Sequence, residues 1–488
     1  MNVIRWWCML CMCLVSSWVS ANDVASTPPK DLVGAVCIIR HNDSLVMISE
    51  VITQKLALPG GYIDETDTPE SAAAREALEE AGISVRVVDL IQYRGRAAIY
   101  ACQAVSPIFV SSFRDQRGFP IVASWYSKHF ATEVDRVYLA DTDKVPLSDH
   151  RYPDDVPLME EWLAKTPNSE VLVYDRLDDT VNLLHKYELT LIQSLQQTVA
   201  QWPQTLQTLF EGAMAIMNLP GEIVFMLLVV VLTGAFTGPQ RLLELLFVML
   251  VGLFTTSLLK HGIASPRPFF ALPELQKVDA HAFGFPSMHT LMATLLWGWL
   301  WDVITHSRSR SWKIGLGILF TVLILGQGVA RVWYGVQFIS DVVISMMVGT
   351  MIVSSFIVWR NHEPPLTTYL LNRWFWLVLT MVVGTAASYT LVPAQAYIFT
   401  VLLGIFLSVE LVAKLLKVTP VVTSRQAAWV CVAVLTVTAI LYGAFWFFAA
   451  QQTLSMVVLG IKASGCLLIT LWLIVSITTL RHKLGVVK

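Results

Sequence analysis

The chain has 488 residues, 55% of them hydrophobic and only 14% charged, with a mean hydropathy of +0.59 and a formal net charge of −2. That balance is too apolar for an ordinary soluble protein and implies an integral membrane protein, and a charge this close to neutral leaves no electrostatic footprint for nucleic acid. Acidic residues crowd before Glu222, and the remainder of the chain is almost continuous apolar sequence, so a soluble domain precedes a membrane domain.

Residues 1–21 combine Arg5, an apolar run from Trp6 to Val19 and the small-residue end Val19-Ser20-Ala21. This reads as a secretory signal peptide, with an uncleaved anchor as the alternative. Either version carries residue 22 onward across the membrane, into the periplasm for a bacterial inner-membrane protein. Cys8, Cys11 and Cys13 leave with the signal, and Cys431 and Cys466 lie in apolar helices. Cys37 and Cys102 remain in the exported part, both in strand-like runs, with room for one disulfide that no spacing rule demands and no zinc pattern.

Alternating apolar runs predict strands over Leu32–Ile39 and Leu45–Ser49, followed by a turn at Pro59-Gly60-Gly61. Thr68 is placed to cap a helix with Pro69 at its first position, running through Glu80 to a stop at Gly82. Further strands are expected over Val85–Tyr93 and Ala97–Ala104, and a helix over Pro157–Ala164. Residues 22–170 thus form a mixed α/β domain.

Glu76, Glu79 and Glu80 are three and four residues apart, so the helix gathers three carboxylates on one face. Left alone they repel; a hard divalent cation relieves that and can also neutralise a pyrophosphate and activate water. The bland alternative is a solvated acidic helix face. The register from Gly61 through Asp67 to Arg75-Glu76-Ala77-Leu78-Glu79-Glu80-Ala81-Gly82-Ile83 resembles the Nudix box, a loop-helix signature, with Asp67 where that family has Glu. The resemblance implies Mg2+ or Mn2+ held by Glu76, Glu79 and Glu80, a brace between Asp67 and Arg75, and structural glycines at Gly61 and Gly82.

Residues 171–219 show a polar-apolar helical pattern with Trp202 and Phe210, expected to be an amphipathic connector on the membrane surface. Beyond Leu219, apolar segments near 222–238, 241–259, 287–304, 312–330, 338–359, 374–391, 394–413, 427–449 and 454–479 predict about nine spans. Starting outside, they put Arg241, Arg308, Arg310, Lys313, Arg360, Arg373, Lys414, Lys417, Arg425, Arg481, Lys483 and Lys488 in the cytoplasm, as the positive-inside bias requires. Glu410, Lys414 and Lys462 lie in or near late spans. Their modest reading is a helix-helix pair, against a substrate path.

At the opposite, outer mouths sit Lys260, six residues, Arg267-Pro268; Pro286-Ser287-Met288-His289; and Ala330-Arg331, five residues, Gln337, three residues, Asp341. Snorkelling cations explain Lys277 but not this set. It is similar to the three-part signature of the type 2 phosphatidic acid phosphatase superfamily, which includes undecaprenyl-diphosphate phosphatases, over residues 210–360. The resemblance implies phosphate binding by Lys260, Arg267, Ser287 and Arg331. It further implies leaving-group protonation by His289, a nucleophile held by Asp341, and no cofactor. Met288 stands for the usual glycine and Ala330 for a common serine. Gln337 stands where the family forms a phosphohistidine, and an amide nitrogen, its lone pair delocalised, can hydrogen-bond a phosphate but not attack it. His261 and His281, on the same side, read as loop histidines.

The expected architecture is therefore multi-domain. A signal peptide (1–21) precedes an exported Nudix-like α/β domain (22–170), a connector (171–219), a phosphatase-like core (220–360) and further transmembrane helices (361–488). The expected function is a membrane-bound phosphate or pyrophosphate hydrolase acting on a lipid phosphate or diphosphate. The alternative is a catalytically silent lipid-phosphate binder that anchors the Nudix-like domain. A transporter or flippase, drawn from the extra spans, has nothing diagnostic behind it.

Overall fold

The computed structural model describes residues 24–25, 28–418 and 420–486; the expected signal peptide lies outside them. The first two predicted strands are β2 (Gly34–His41) and β3 (Ser44–Glu50), after a short β1 (Val24–Ala25), and the next two are β6 (Val85–Arg94) and β7 (Ala97–Ala104), after the short β4 (Leu56–Ala57) and β5 (Gly60–Tyr62). Later strands escaped the sequence reading: β8 (Ile108–Arg114), β9 (Pro120–Val122), β10 (Val134–Asp141) and β11 (Val171–Tyr174). Together they make an 11-stranded mixed sheet in the order β1-β6-β7-β2-β3-β10-β9-β8-β11, with β4 and β5 pairing off β3 and β2. Two helices cover opposite faces. Helix α1 (Pro69–Ala81) buries Ala72, Ala73, Ala77 and Ala81 on one side, and α2 (Val156–Lys165) buries Met159 and Trp162 on the other.

The ends of α1 follow from its sequence. Thr68 Oγ1 accepts from the Ser71 N–H (3.2 Å) while the Thr68 N–H donates to Ser71 Oγ (2.9 Å), so two orphan donors of the first turn are satisfied reciprocally. Gly82 closes the helix at φ 70°, where a side chain would be strained. Cys37 and Cys102, both buried on the parallel pair β2 and β7, form a disulfide with Cα atoms 5.7 Å apart.

Two helices, α3 (Leu183–Ala200) and α4 (Gln204–Asn218), form the connector. Leu189 and Ile192 bury against Ala271, Leu272, Leu275 and Phe338, while Leu183, Tyr187, Leu209 and Ile216 stay exposed, the apolar surface expected of helices beside lipid. Helices occupy all the later apolar segments: α5 (Ile223–Thr237), α6 (Pro239–Ile263), α7 (Met288–Thr305), α8 (Arg310–Trp333), α9 (Ile339–Arg360), α10 (Arg373–Thr390), α11 (Pro393–Leu411), α12 (Ser424–Ala450) and α13 (Ser455–Leu484). Among the described residues, six helices are long and apolar enough to cross a membrane, or up to seven if the bent pair α4–α5 counts as one span. The six are α6, α8, α9, α11, α12 and α13. The expectation of about nine spans is thus met for six. Helix α5 has only 15 residues, and α7 and α10 dilute their apolar runs with threonine and other polar residues.

Buried ion pairs fix which helix ends lie together. Glu244, 1% exposed, accepts from Arg241 (2.7 Å) and faces Arg360 (3.4 Å), which also pairs with Asp302. The start of α6 and the ends of α7 and α9 therefore share one side, and the motif residues lie at the other ends of these helices. Glu410 pairs with Arg373 (2.6 Å), the modest reading. Lys462 instead donates to the Ile52 carbonyl (2.8 Å), tying α13 to the soluble domain.

The two domains share a core. Trp125 stacks on Phe270 at 5.2 Å between centroids, and Phe130 meets Phe270 and Phe283 edge-on. Val336, fully buried, belongs to the same cluster. Around it, Arg136 pairs with Asp115 (3.1 Å) and Asp279 (2.6 Å), and His281 with Asp135 (2.6 Å).

Candidate functional sites

In the soluble domain the glycine turn lies directly against α1. A Cβ on Gly61 would come within 2.5 Å of the Glu76 carboxylate, so only glycine lets the turn approach so closely. Glu80 Oε2 accepts from the Gly60 N–H (2.8 Å) and ties the turn down from the other side. Arg75 organises the rest: Nε donates to Asp67 (2.8 Å), one terminal nitrogen reaches Glu76 (2.8 Å) and Glu79 (3.1 Å), and the other reaches the Tyr62 carbonyl (2.8 Å). The shorter Asp67 carboxylate thus makes the brace directly.

One residue here was missed by sequence reasoning. Glu76, Glu79 and His129 each offer a ligand atom, all within 4.8 Å of one another, whereas Glu80 is turned to the backbone and stands outside that group. His129 arrives from a loop roughly fifty positions on, with no periodic pattern to announce it. The donor set, two carboxylates and an imidazole, fits a divalent ion. Burial pushes Glu76 above the usual carboxylate range against the pull of Arg75, and pushes Glu80 well above it despite the Gly60 bond. For Glu79 burial also raises, but Lys128 and Arg75 outweigh it and hold the carboxyl below its ordinary value.

The second site lies where the ends of α6 and α8 meet the starts of α7 and α9. Lys260 donates to the carbonyls of Phe283 (2.6 Å) and Gly284 (3.0 Å). Arg267, 5% exposed, donates to those of His281 (2.6 Å), Ala282 (2.9 Å) and Val336 (2.8 Å). Two of the three cations are thus fastened to the loop that the soluble domain grips. Ser287 is the N-cap of α7 and Met288 its first helical residue, so no glycine is required there. Asp341 Oδ2 accepts from the Phe338 N–H (3.0 Å), capping α9, and lies 3.1 Å from where a Cβ on Gly284 would sit. Lys260, Arg267 and Asp341 thus meet around Gly284.

Two groups missed by the sequence reading close this site from the α4–α5 bend. Glu222 faces His289 Nε2 at 3.5 Å, and Asn218 Oδ1 accepts from Arg331 (3.4 Å). A Cβ on Gly221 would strike the His289 ring at 2.2 Å, so the bend rests on the imidazole. Gln337 is 2% exposed and its Oε1 has no hydrogen-bond partner; nor has Arg331 Nε. Leaving such groups unmet costs about 1–3 kcal/mol each. His261 and His281 are engaged at the domain boundary: His261 contacts the Ser257 and Ala131 carbonyls, and His281 is held by Asp135.

Comparison with known proteins supports both resemblances. Residues 30–124 match the NUDIX domain model and residues 241–365 the PAP2 superfamily model. A MutT-like protein of Streptomyces ambofaciens is 35% identical over 74 residues, 15% of this chain; the chain spans about half (48%) of that relative's length. Among solved structures, a PAP2-type phosphatidylglycerolphosphate phosphatase from Bacillus subtilis is similar at 22% identity and a TM-score of 0.31, over 38% of this chain and 90% of that one. A NUDIX hydrolase from Nitrosomonas europaea is similar at 19% identity and a TM-score of 0.18, over 31% of this chain and 83% of that one. The chain therefore carries a Nudix domain followed by a PAP2-superfamily domain, both from hydrolase families that act on phosphate ester or anhydride bonds.

Proposed function

From a chain that joins these two domains, we propose a membrane-bound hydrolase that cuts a pyrophosphate linkage in its Nudix domain and handles a lipid phosphate or diphosphate in its PAP2-like pocket. The observation that carries this reading is the Glu76, Glu79 and His129 donor set beside a braced arginine. Nudix hydrolases generally use Mg2+ or Mn2+. When bound, such an ion neutralises pyrophosphate oxygens and lowers the pKa of a water. Glu76 and Glu79 would hold it, Arg75 keeps both carboxylates facing the turn, and Glu80 fixes the turn.

In the membrane pocket Lys260, Arg267, Ser287 and Arg331 bind the phosphate oxygens, and His289, set by Glu222, protonates a leaving oxygen. Gln337 closes the phosphohistidine route. With an amide at that position, the alternative read from the sequence is a catalytically silent lipid-phosphate binder that anchors the Nudix domain. The disulfide supports placing the Nudix domain in an oxidising compartment, the periplasm of a bacterial inner-membrane protein, with the domain division as expected from sequence. The test is phosphate release from phosphatidate and undecaprenyl diphosphate by the purified chain and its Gln337→His variant, with and without chelator. Release by the parent chain in chelator contradicts the binder reading. Release only by the variant supports it.

A further inference from the structure

The segment from Ser124 to Glu133 has two faces. One closes on α1: the His129 N–H donates to the Glu79 carbonyl (2.9 Å), Ser127 Oγ donates to that of Glu80 (3.2 Å), and Lys128 pairs with the Glu79 carboxylate. Its other face inserts Trp125 and Phe130 into the membrane domain's aromatic cluster of Phe269, Phe270 and Phe283. His129 is held between these two anchorages, its carbonyl accepting from the N–H groups of Glu133 (3.0 Å) and Val134 (3.1 Å).

The orientation of the ring is informative. Nδ1 faces Glu133 Oε2 at 3.4 Å, and Nε2 faces Glu79 Oε2 at 3.6 Å. A histidine that ligates a metal generally gives its second N–H to a carboxylate, which fixes the tautomer and turns the free lone pair toward the ion. Glu133 is the carboxylate on the Nδ1 side, near enough to take up that role though not aligned as a hydrogen bond here, and Nε2 is the nitrogen facing Glu79, which groups with Glu76.

We propose that His129 is a nitrogen ligand of the Nudix metal, and that it makes the site prefer a first-row transition ion such as Mn2+ over Mg2+. First-row transition ions, Mn2+ the weakest of them, take a nitrogen donor more readily than Mg2+, which favours oxygen donors and keeps its waters. The proposal rests on the Nudix reading, and it adds a ligand that the helix motif does not supply.

The test uses the full chain in detergent with Mn2+ as probe. Titration followed by electron paramagnetic resonance gives the affinity, Mg2+ competition gives the selectivity, and pulsed measurement reads 14N coupling to the bound ion. The expected result is imidazole nitrogen coupling in the parent chain. His129→Gln should abolish it, weaken Mn2+ binding by about 10- to 100-fold and reduce the preference for Mn2+ over Mg2+. Mn2+ bound without nitrogen coupling, yet lost in Glu79→Gln, overturns the His129 assignment and leaves the Nudix reading intact. Failure of the parent chain to bind Mn2+ overturns both.

Discussion

The two sites are opposites built on one plan. In the Nudix domain a helix and a loop collect carboxylates and an imidazole that call for a cation; at the membrane, helix ends collect a lysine and two arginines that call for an anion. The first has its donor atoms gathered within ligand distance. The second sets Lys260, Arg267 and Arg331 at helix ends with His289, and the buried Gln337 there has an amide oxygen without a hydrogen-bond partner. On the proposed reading recognition and reaction are separable, because holding a phosphate needs only fixed positive charge and donors, whereas covalent catalysis needs one specific lone pair.

The sharpest way to break this contrast is Gln337→His. Removing a covalent nucleophile costs about 10⁶ in turnover in subtilisin, so restoring an imidazole should raise chelator-resistant phosphate release from a lipid phosphate by several orders of magnitude. No change would mean that the pocket is not a phosphatase site. Next in size, Glu79→Gln with Glu80→Gln should remove metal-dependent pyrophosphatase activity by about a thousandfold, the equivalent of roughly 4 kcal/mol of lost charge stabilisation. Retained activity would refute the site assignment in the soluble domain.

A smaller effect tests whether the sites are mechanically joined. Arg136 and Asp115 are 3% and 4% exposed in their side chains, and removing one partner of a buried pair costs about 3–5 kcal/mol. Arg136→Ala should therefore lower the thermal midpoint followed by tryptophan fluorescence, and Phe130→Ala should act similarly through a cavity costing about 3–5 kcal/mol.

The smallest expected effect is a pH dependence at the same boundary. His281 is raised above the ordinary histidine value, chiefly by its hydrogen bond to Asp135, with burial opposing and Asp279 adding; Arg136 opposes. Since the folded value is the higher one, this stabilisation is complete below the unfolded value near about 6.5 and fades as pH rises through the raised value. The thermal midpoint should drop across that window, and His281→Asn should flatten the drop.

Much of this was legible in sequence because the signals are local. The carboxylates at 76, 79 and 80 share a helix face by period alone, and Thr68, Pro69 and Gly82 mark that helix's ends to the residue. The strands from β8 onward were not legible, since β11 joins the sheet by parallel pairing with β8 across an intervening helix. His129, Glu222 and Asn218 were invisible for the same reason. Each is a lone polar residue whose partner lies tens of residues or more away.

The amino-acid sequence by itself determined the two motifs, the helical register of each and the shared end of the bundle on which the Lys260, Arg267 and Arg331 charges sit, because periodicity, capping and hydropathy act within a few turns. Only the tertiary structure decided that Glu80 turns to the backbone while His129 joins Glu76 and Glu79. It also decided that the soluble domain grips the loop fastening Lys260 and Arg267. Those outcomes depend on long-range packing of aromatic and apolar side chains, which no local pattern encodes.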